Sequence, residues 1–181
     1  ALVKYVAQHV LRALVELWRN NLVHRHIRPD NVLLCADGSV RLLRSDECLQ
    51  QEGVDVSVPA APLDAYSAPE CVAGRASPLS DVWSVGVLVF ELMTRRTPLA
   101  DSPLPLRTAL LRLTSRDDPA LSIARHSRVE VDDAWTALLA DMLTPDVAQR
   151  RSAAELLADR TWRKRVLPRH RVVVGIGRVL H

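Results

Sequence analysis

The chain has 181 residues, enough for one domain with a substantial core, and 48% of them are apolar against 25% charged. A net charge of +3 is too small to argue for a nucleic-acid partner, and aromatics at 4% leave the core to Leu, Val and Ala. No uninterrupted apolar run reaches the ~20 residues of a spanning helix, so no membrane partner is expected.

Val3 to Leu22 places Val3, Val6, Val10, Leu11, Leu14, Leu17 and Trp18 at helical spacing, which predicts a core-facing helix ending at Asn20-Asn21. Val32-Leu33-Leu34 and Val40-Arg41-Leu42-Leu43 are short apolar runs joined across Asp37-Gly38, a hairpin signal. From Arg44 to Pro69 the periodicity dissolves. A loop of that length in a compact domain is usually functional or disordered, and residues from about Glu47 to Pro62 are expected to run unpaired over the surface. Helical spacing returns at Ser80, read as an N-cap, and continues through Val82, Val85, Val87, Leu88, Leu92 and Met93. That segment is apolar on most sides and predicts a buried central helix. Beyond Pro98, Pro103 and Pro105, three further helices are expected over Leu106–Leu113, Asp132–Leu143 and Ser152–Leu157.

Residues 163–181, with Arg160 just before them, gather Arg163, Lys164, Arg165, Arg169, Arg171 and Arg178. They read as a solvated basic tail, or alternatively as a patch for phosphate or an acidic partner. Cys35, Cys48 and Cys71 are odd in number and lack metal-ligand spacing, which suggests a reducing compartment, cytoplasmic by default. The start of the chain lacks the order of a signal peptide and opens inside an amphipathic segment without Met, as a fragment would.

Four motifs then come into register. His24-Arg25-His26-Ile27-Arg28-Pro29-Asp30-Asn31 resembles the catalytic loop of protein kinases, usually His-Arg-Asp-Leu-Lys-Pro-x-Asn. Ala68-Pro69-Glu70 resembles the end of the kinase activation segment, and Ser80-Asp81-Val82-Trp83-Ser84-Val85-Gly86 the start of the central helix of that family. Met142-Leu143, Arg150 and Ala153-Ala154-Glu155-Leu156-Leu157 are similar to its closing helices. The resemblance implies a mainly α large-lobe bundle over residues 1–162 with one small hairpin and no small lobe. Its parts would be a helix at 1–22, catalytic loop and hairpin at 23–43, activation segment at 44–70 and helical subdomain at 80–162.

The resemblance also assigns roles. The Asp that accepts the substrate hydroxyl's proton in kinases is replaced by His26, and the Lys that contacts the transferring phosphate by Arg28. Asn31 matches the Asn that holds a second metal ion. Leu33 and Arg44 fall on the nucleotide side. Counting from Asn31 through the hairpin puts the metal-binding Asp-Phe-Gly on Arg44-Ser45-Asp46, so a cation stands where Mg²⁺ is held. A slip of two residues would bring in Asp46, but Glu47-Cys48 does not resemble Phe-Gly. Scaffold positions are retained: Glu70 to pair with Arg150, Asp81 to accept from the loop backbone, His24 and Arg25 to brace it.

The resemblance and its departures together imply a kinase-like domain impaired in catalysis, serving as a binding or allosteric module for a protein partner such as a kinase, substrate or regulator. One alternative is an active or atypical Ser/Thr protein kinase using ATP; a second is a non-functional truncated fragment. No metal site is expected, Mg²⁺ is disfavoured, and ATP binding would require a small lobe.

Overall fold

The computed structural model describes residues 2–44, 48–51, 57–100, 102–113 and 133–159. Helix α1 (Leu2–Arg19) turns Val6, Ala7, Val10, Leu11 and Leu14 inward, the stripe its spacing predicts. It stops three residues earlier than the apolar pattern does. Asn20 Nδ2 donates to Glu16 O at 2.7 Å, and Asn21 takes the left-handed φ of 56° that short polar side chains tolerate. Leu22 then leaves the helix and forms strand β1 with Val23.

The hairpin forms as β2 (Val32–Leu34) and β3 (Val40–Leu42), antiparallel, with Leu33 opposite Arg41. Gly38 supplies the φ of 84° at its turn. Two further antiparallel pairs were not expected. β4 (Leu49–Gln50) pairs with β1, and β5 (Val58–Pro59) with β6 (Arg75–Ala76). Val23, Val58 and Ala76 bury together in a small cluster of their own. The stretch predicted to run unpaired is therefore pinned at both of its described pieces. The expectation of a mainly α bundle with a single hairpin is corrected accordingly. Among the described residues, six short strands form three two-stranded sheets, and helix accounts for only about half. Two-residue strands leave no periodicity to read; tertiary pairing makes them.

Helix α2 (Pro78–Thr94) starts three residues earlier than a cap at Ser80 would place it, because Ser77 rather than Ser80 is the N-cap and Pro78 occupies the first turn. Ser80 completes the cap from inside, its hydroxyl accepting from the Ser77 N–H at 3.0 Å. Twelve residues of α2 are buried, Pro78 and Ser80 through Phe90. Each fully buried Leu, Val or Phe there contributes roughly 1.5–3 kcal/mol. Around α2 pack α1, the strands β1 and β6, and α4 (Asp133–Met142), which follows α3 (Leu106–Leu113); α5 (Ala153–Ala158) closes against α1. Ser152 and Glu155 form a reciprocal capping box at the start of α5. The basic stretch 163–181 lies outside the described residues.

Close packing of α2 on α4 rests on Gly86. A Cβ there would stand 2.8 Å from Leu143 Cδ2 and 2.9 Å from Met142 Cβ. Gly86→Ala is expected to lower stability by about 1–3 kcal/mol, read as a shifted urea midpoint with unchanged slope.

Candidate functional site

The chain leaves β1 at Val23 and enters the loop 24–31 through His24, which is fully buried. Both backbone N–H groups at the entrance point into one carboxylate: His24 N–H reaches Asp81 Oδ2 at 2.8 Å and Arg25 N–H reaches Asp81 Oδ1 at 2.7 Å. Asp81 lies in the first turn of α2, so the loop is bolted to the central helix. Burial pushes the Asp81 carboxyl up to about 7, against the two N–H bonds and the Arg25 charge, which pull it down.

The His24 ring holds the other side of the loop. Its Nε2 lies 2.9 Å from Leu43 O, and its Nδ1 lies 3.2 Å from the His26 N–H. A carbonyl can only accept and an N–H only donate, so the pattern assigns the neutral tautomer protonated on Nε2. Burial lowers its pKa to about 4; the Leu43 bond opposes the shift, while His26 and Arg25 add to it.

His26 is half-buried. Its carbonyl accepts from Asn31 Nδ2 at 2.7 Å, so the Asn31 amide closes the loop on itself. Desolvation, then the charges of Arg25 and Arg44, hold the His26 imidazole below its ordinary pKa; Asp64 opposes them and Arg28 adds a smaller push. Arg28 reaches two carboxylates loosely, Asp64 Oδ2 at 3.4 Å and Asp30 Oδ2 at 3.5 Å. Asp64 is fixed in turn, accepting at Oδ1 from the Tyr66 N–H at 2.8 Å and from the Ser67 hydroxyl at 3.2 Å. Leu43 N–H donates to Asn31 O at 2.8 Å, so residue 43 is tied through both backbone groups. The chain then turns at Arg44, which is exposed and has a left-handed φ of 62°.

Glu70 and Arg150 meet about the end of the segment. Arg150 Nη1 and Nη2 donate to Glu70 Oε1 and Oε2 at 2.6 and 3.0 Å, a fork-to-fork pair. Ser80 Oγ adds a donor at 2.7 Å. The remaining guanidinium hydrogens go to Leu79 O, Thr144 O and Pro145 O, and the plane lies 5.1 Å from the Trp83 ring centroid. Burial pushes the Glu70 carboxyl upward, but the Arg150 bond and charge, with the Ser80 hydroxyl, outweigh it and hold it below its ordinary value.

The candidate positions thus fall into three groups: His24, Arg25 and Asp81; His26, Arg28, Asn31 and Arg44; and Glu70 with Arg150. Leu33 joins none of these bonds and stands 46% exposed on the hairpin. Asp46 lies outside the described residues. The sequence pattern did not reveal Asp64 as the partner of Arg28 or Ser80 as a third donor to Glu70. The acid of the first pair sits in an aperiodic stretch, and Ser80 carries no mark beyond its cap position. Among the described residues, no three His, Cys, Asp or Glu side chains converge as a metal site. The candidate metal positions present imidazole, an inward-turned amide and guanidinium, a set that does not fit a hard divalent cation.

A protein kinase domain model matches residues 1–162. The chain belongs to the protein kinase family. Relatives include the serine/threonine-protein kinase PAK mbt of Drosophila melanogaster, 32% identical over 155 residues, covering 84% of this chain and 23% of that protein. Serine/threonine-protein kinase PknL of Mycobacterium tuberculosis is 34% identical over 165 residues, with 85% and 37% covered. Serine/threonine-protein kinase PAK 1 of Mus musculus is 32% identical over 156 residues, with 84% and 27% covered. The chain therefore spans about a quarter to a third of the length of these kinases. The family match starts at the first residue, and strands occur early in the chain, so the expectation that the kinase small lobe is absent does not stand.

Two measurements test the contacts of this kinase domain. Arg150→Ala strands a largely buried Glu70 and is expected to cost about 3–5 kcal/mol, seen as a large loss of Tm. His24 is neutral when folded and has a folded pKa below its unfolded value. Its stabilising contribution is therefore present above pH ~6.5 and is lost as pH falls towards 4. Asp81 titrates across the same window with the opposite sign, because its folded pKa is raised. The difference between the unmodified chain and His24→Gln isolates the histidine. The advantage of the unmodified chain should shrink by about 3 kcal/mol between pH 7 and pH 4 in denaturant titrations.

Proposed function

We propose that this kinase-fold domain is impaired in phosphoryl transfer and acts by binding a protein partner or by allosteric contact. The observation that carries the reading is Arg44, an exposed guanidinium at the position matched to the metal-binding carboxylate of kinases. Desolvation first, then the charges of Arg25 and Arg44, disfavour a charged His26 imidazole, with Asp64 opposing them. A divalent cation brought there meets repulsion rather than ligands. A neutral imidazole at position 26 offers one acceptor nitrogen where a carboxylate offers two oxygens and a negative charge. The residues left over are suited to phosphate without metal, since Arg28 and Arg44 both end in planar donor forks.

A second reading, an active Ser/Thr kinase of unusual chemistry, draws on the relatives, which are named serine/threonine-protein kinases, and on the retained Asn31 and Arg28. Two assays on the full-length protein separate the readings. In a thermal-shift titration, any stabilisation by ATP should be weak and the same with or without Mg²⁺. In a phosphate-transfer assay, activity should stay at background. Arg44→Asp should bring back metal dependence without restoring transfer, because His26 is unchanged. Strong Mg²⁺-dependent stabilisation of the unmodified protein, or transfer that His26→Ala abolishes, would establish the enzyme reading instead.

A further inference from the structure

Arg28 and Asp64 face each other between the loop at 24–31 and the segment that follows it. The two members of the pair are held unequally. Oδ1 of Asp64 accepts from the Tyr66 N–H at 2.8 Å and from the Ser67 hydroxyl at 3.2 Å, and the Asp64 N–H donates to Ser67 Oγ at 2.9 Å. Tyr66 is itself fastened to α2 at both ends. Ser84 Oγ donates to its carbonyl at 2.8 Å, and its hydroxyl donates to Glu91 Oε2 at 2.5 Å. Asp64 is therefore a seated charge with Oδ2 turned to Arg28.

Arg28 is the loose member. Its Nη1 lies 3.4 Å from Asp64 Oδ2, and its Nε lies 3.5 Å from Asp30 Oδ2 without making a hydrogen bond. Among the described residues the guanidinium has no closer polar contact. A guanidinium fork suits two oxygens of one phosphate, and a single carboxylate oxygen at 3.4 Å uses little of it. The side chains of Arg28 and Asp64 are 38% and 34% exposed, so an ion from solvent can reach the pair.

We propose that Asp64 is the internal occupant of an anion site at Arg28, and that a phosphate-bearing ligand binds there by displacing it. This rests on the reading of Arg28 as a phosphate partner that works without metal. No covalent bond forms or breaks in the exchange. Arg28 moves from Oδ2 to the ligand, because it is the less tightly held member of the pair. Asp64 stays where Tyr66 and Ser67 hold it. It opposes the ligand twice, first as a competitor for the guanidinium and then as a like charge beside the bound anion. The affinity of the loop for phosphate is thus set by a residue outside the loop.

The test titrates inorganic pyrophosphate, with EDTA present, into the whole chain by calorimetry at low ionic strength. Asp64→Asn keeps an oxygen for the Tyr66 N–H and the Ser67 hydroxyl and removes the charge. It should tighten pyrophosphate binding by about three- to fivefold. In an Arg28→Gln background the same change should gain less than about twofold, since only the longer-range charge effect is left. Carbon-13 NMR reads the exchange without any substitution. In the unmodified chain the Asp64 carboxyl signal should shift as pyrophosphate saturates, because Oδ2 loses its guanidinium. Unchanged or weaker binding in Asp64→Asn, an equal gain in the Arg28→Gln background, or no measurable pyrophosphate binding would each overturn the proposal. So would a carboxyl signal that stays in place at saturation, and that signal decides alone if Asp64→Asn does not fold. Failure here leaves the impaired-transfer reading standing, because the Mg²⁺ thermal shift and the transfer assay decide that reading without Asp64.

Discussion

Asp81 is fully buried in the first turn of α2 with both carboxylate oxygens turned towards the loop at 24–31. One of the two N–H groups it accepts belongs to Arg25, whose φ is 68°. A left-handed backbone costs a residue with a Cβ on the order of 1–2 kcal/mol. A hydrogen bond to a charged acceptor contributes about 1.5–3 kcal/mol, enough to hold that conformation in place. The neighbouring bond from His24 orients the buried ring, the ring fixes Leu43 O, and Leu43 N–H returns to Asn31 O. The positions of His26 and Arg44 thus descend from one carboxylate through a chain of short bonds.

The segment after the loop is held by contacts of unequal strength. Glu70 is locked by a bidentate pair to an Arg150 side chain with no exposure, and breaking such a pair from one side leaves a buried charge. The β5–β6 ladder holds residues 58–59 through the backbone and a small apolar cluster. Between loop and segment lies the Arg28–Asp64 pair, at 3.4 Å with both side chains about a third exposed, worth at most about 1 kcal/mol. Loop and segment are each fastened to α2 more firmly than this pair fastens them to one another.

Long-period features of this architecture were legible in the sequence. The α1 stripe, the Asp37-Gly38 turn and the buried run of α2 depend on repeats of 3.6 or 2 residues and on turn chemistry, which a single sequence displays. The Glu70–Arg150 and Asp81 contacts span long separations and carry no local signal; they were readable only through resemblance to kinases. What escaped both routes was short and tertiary. Leu49-Gln50 becomes a strand because Leu22-Val23 lies beside it, and Val58 is anchored because Ala76 and Val23 cover it. The α2 boundary slipped because Ser77 and Ser80 are both credible caps; Pro78 decides between them, as a residue that suits the first turn and needs no N–H partner there.

The contacts that shape the loop also bear on how its chemistry could change while the fold stayed. At residue 26 the bonds to His24 Nδ1 and from Asn31 Nδ2 involve the backbone N–H and carbonyl, and would form with any side chain that fits. Just before Arg44, the fold is set by the N–H and carbonyl of Leu43. A carboxylate at either position could be exchanged for imidazole or guanidinium without removing these bonds. At Asp81, Glu70 and Arg150 the side chain itself makes the bond, and an exchange leaves buried donors or a buried charge without a partner. A kinase fold built this way tolerates reversal of charge in its reactive loop far more readily than a single substitution in its scaffold.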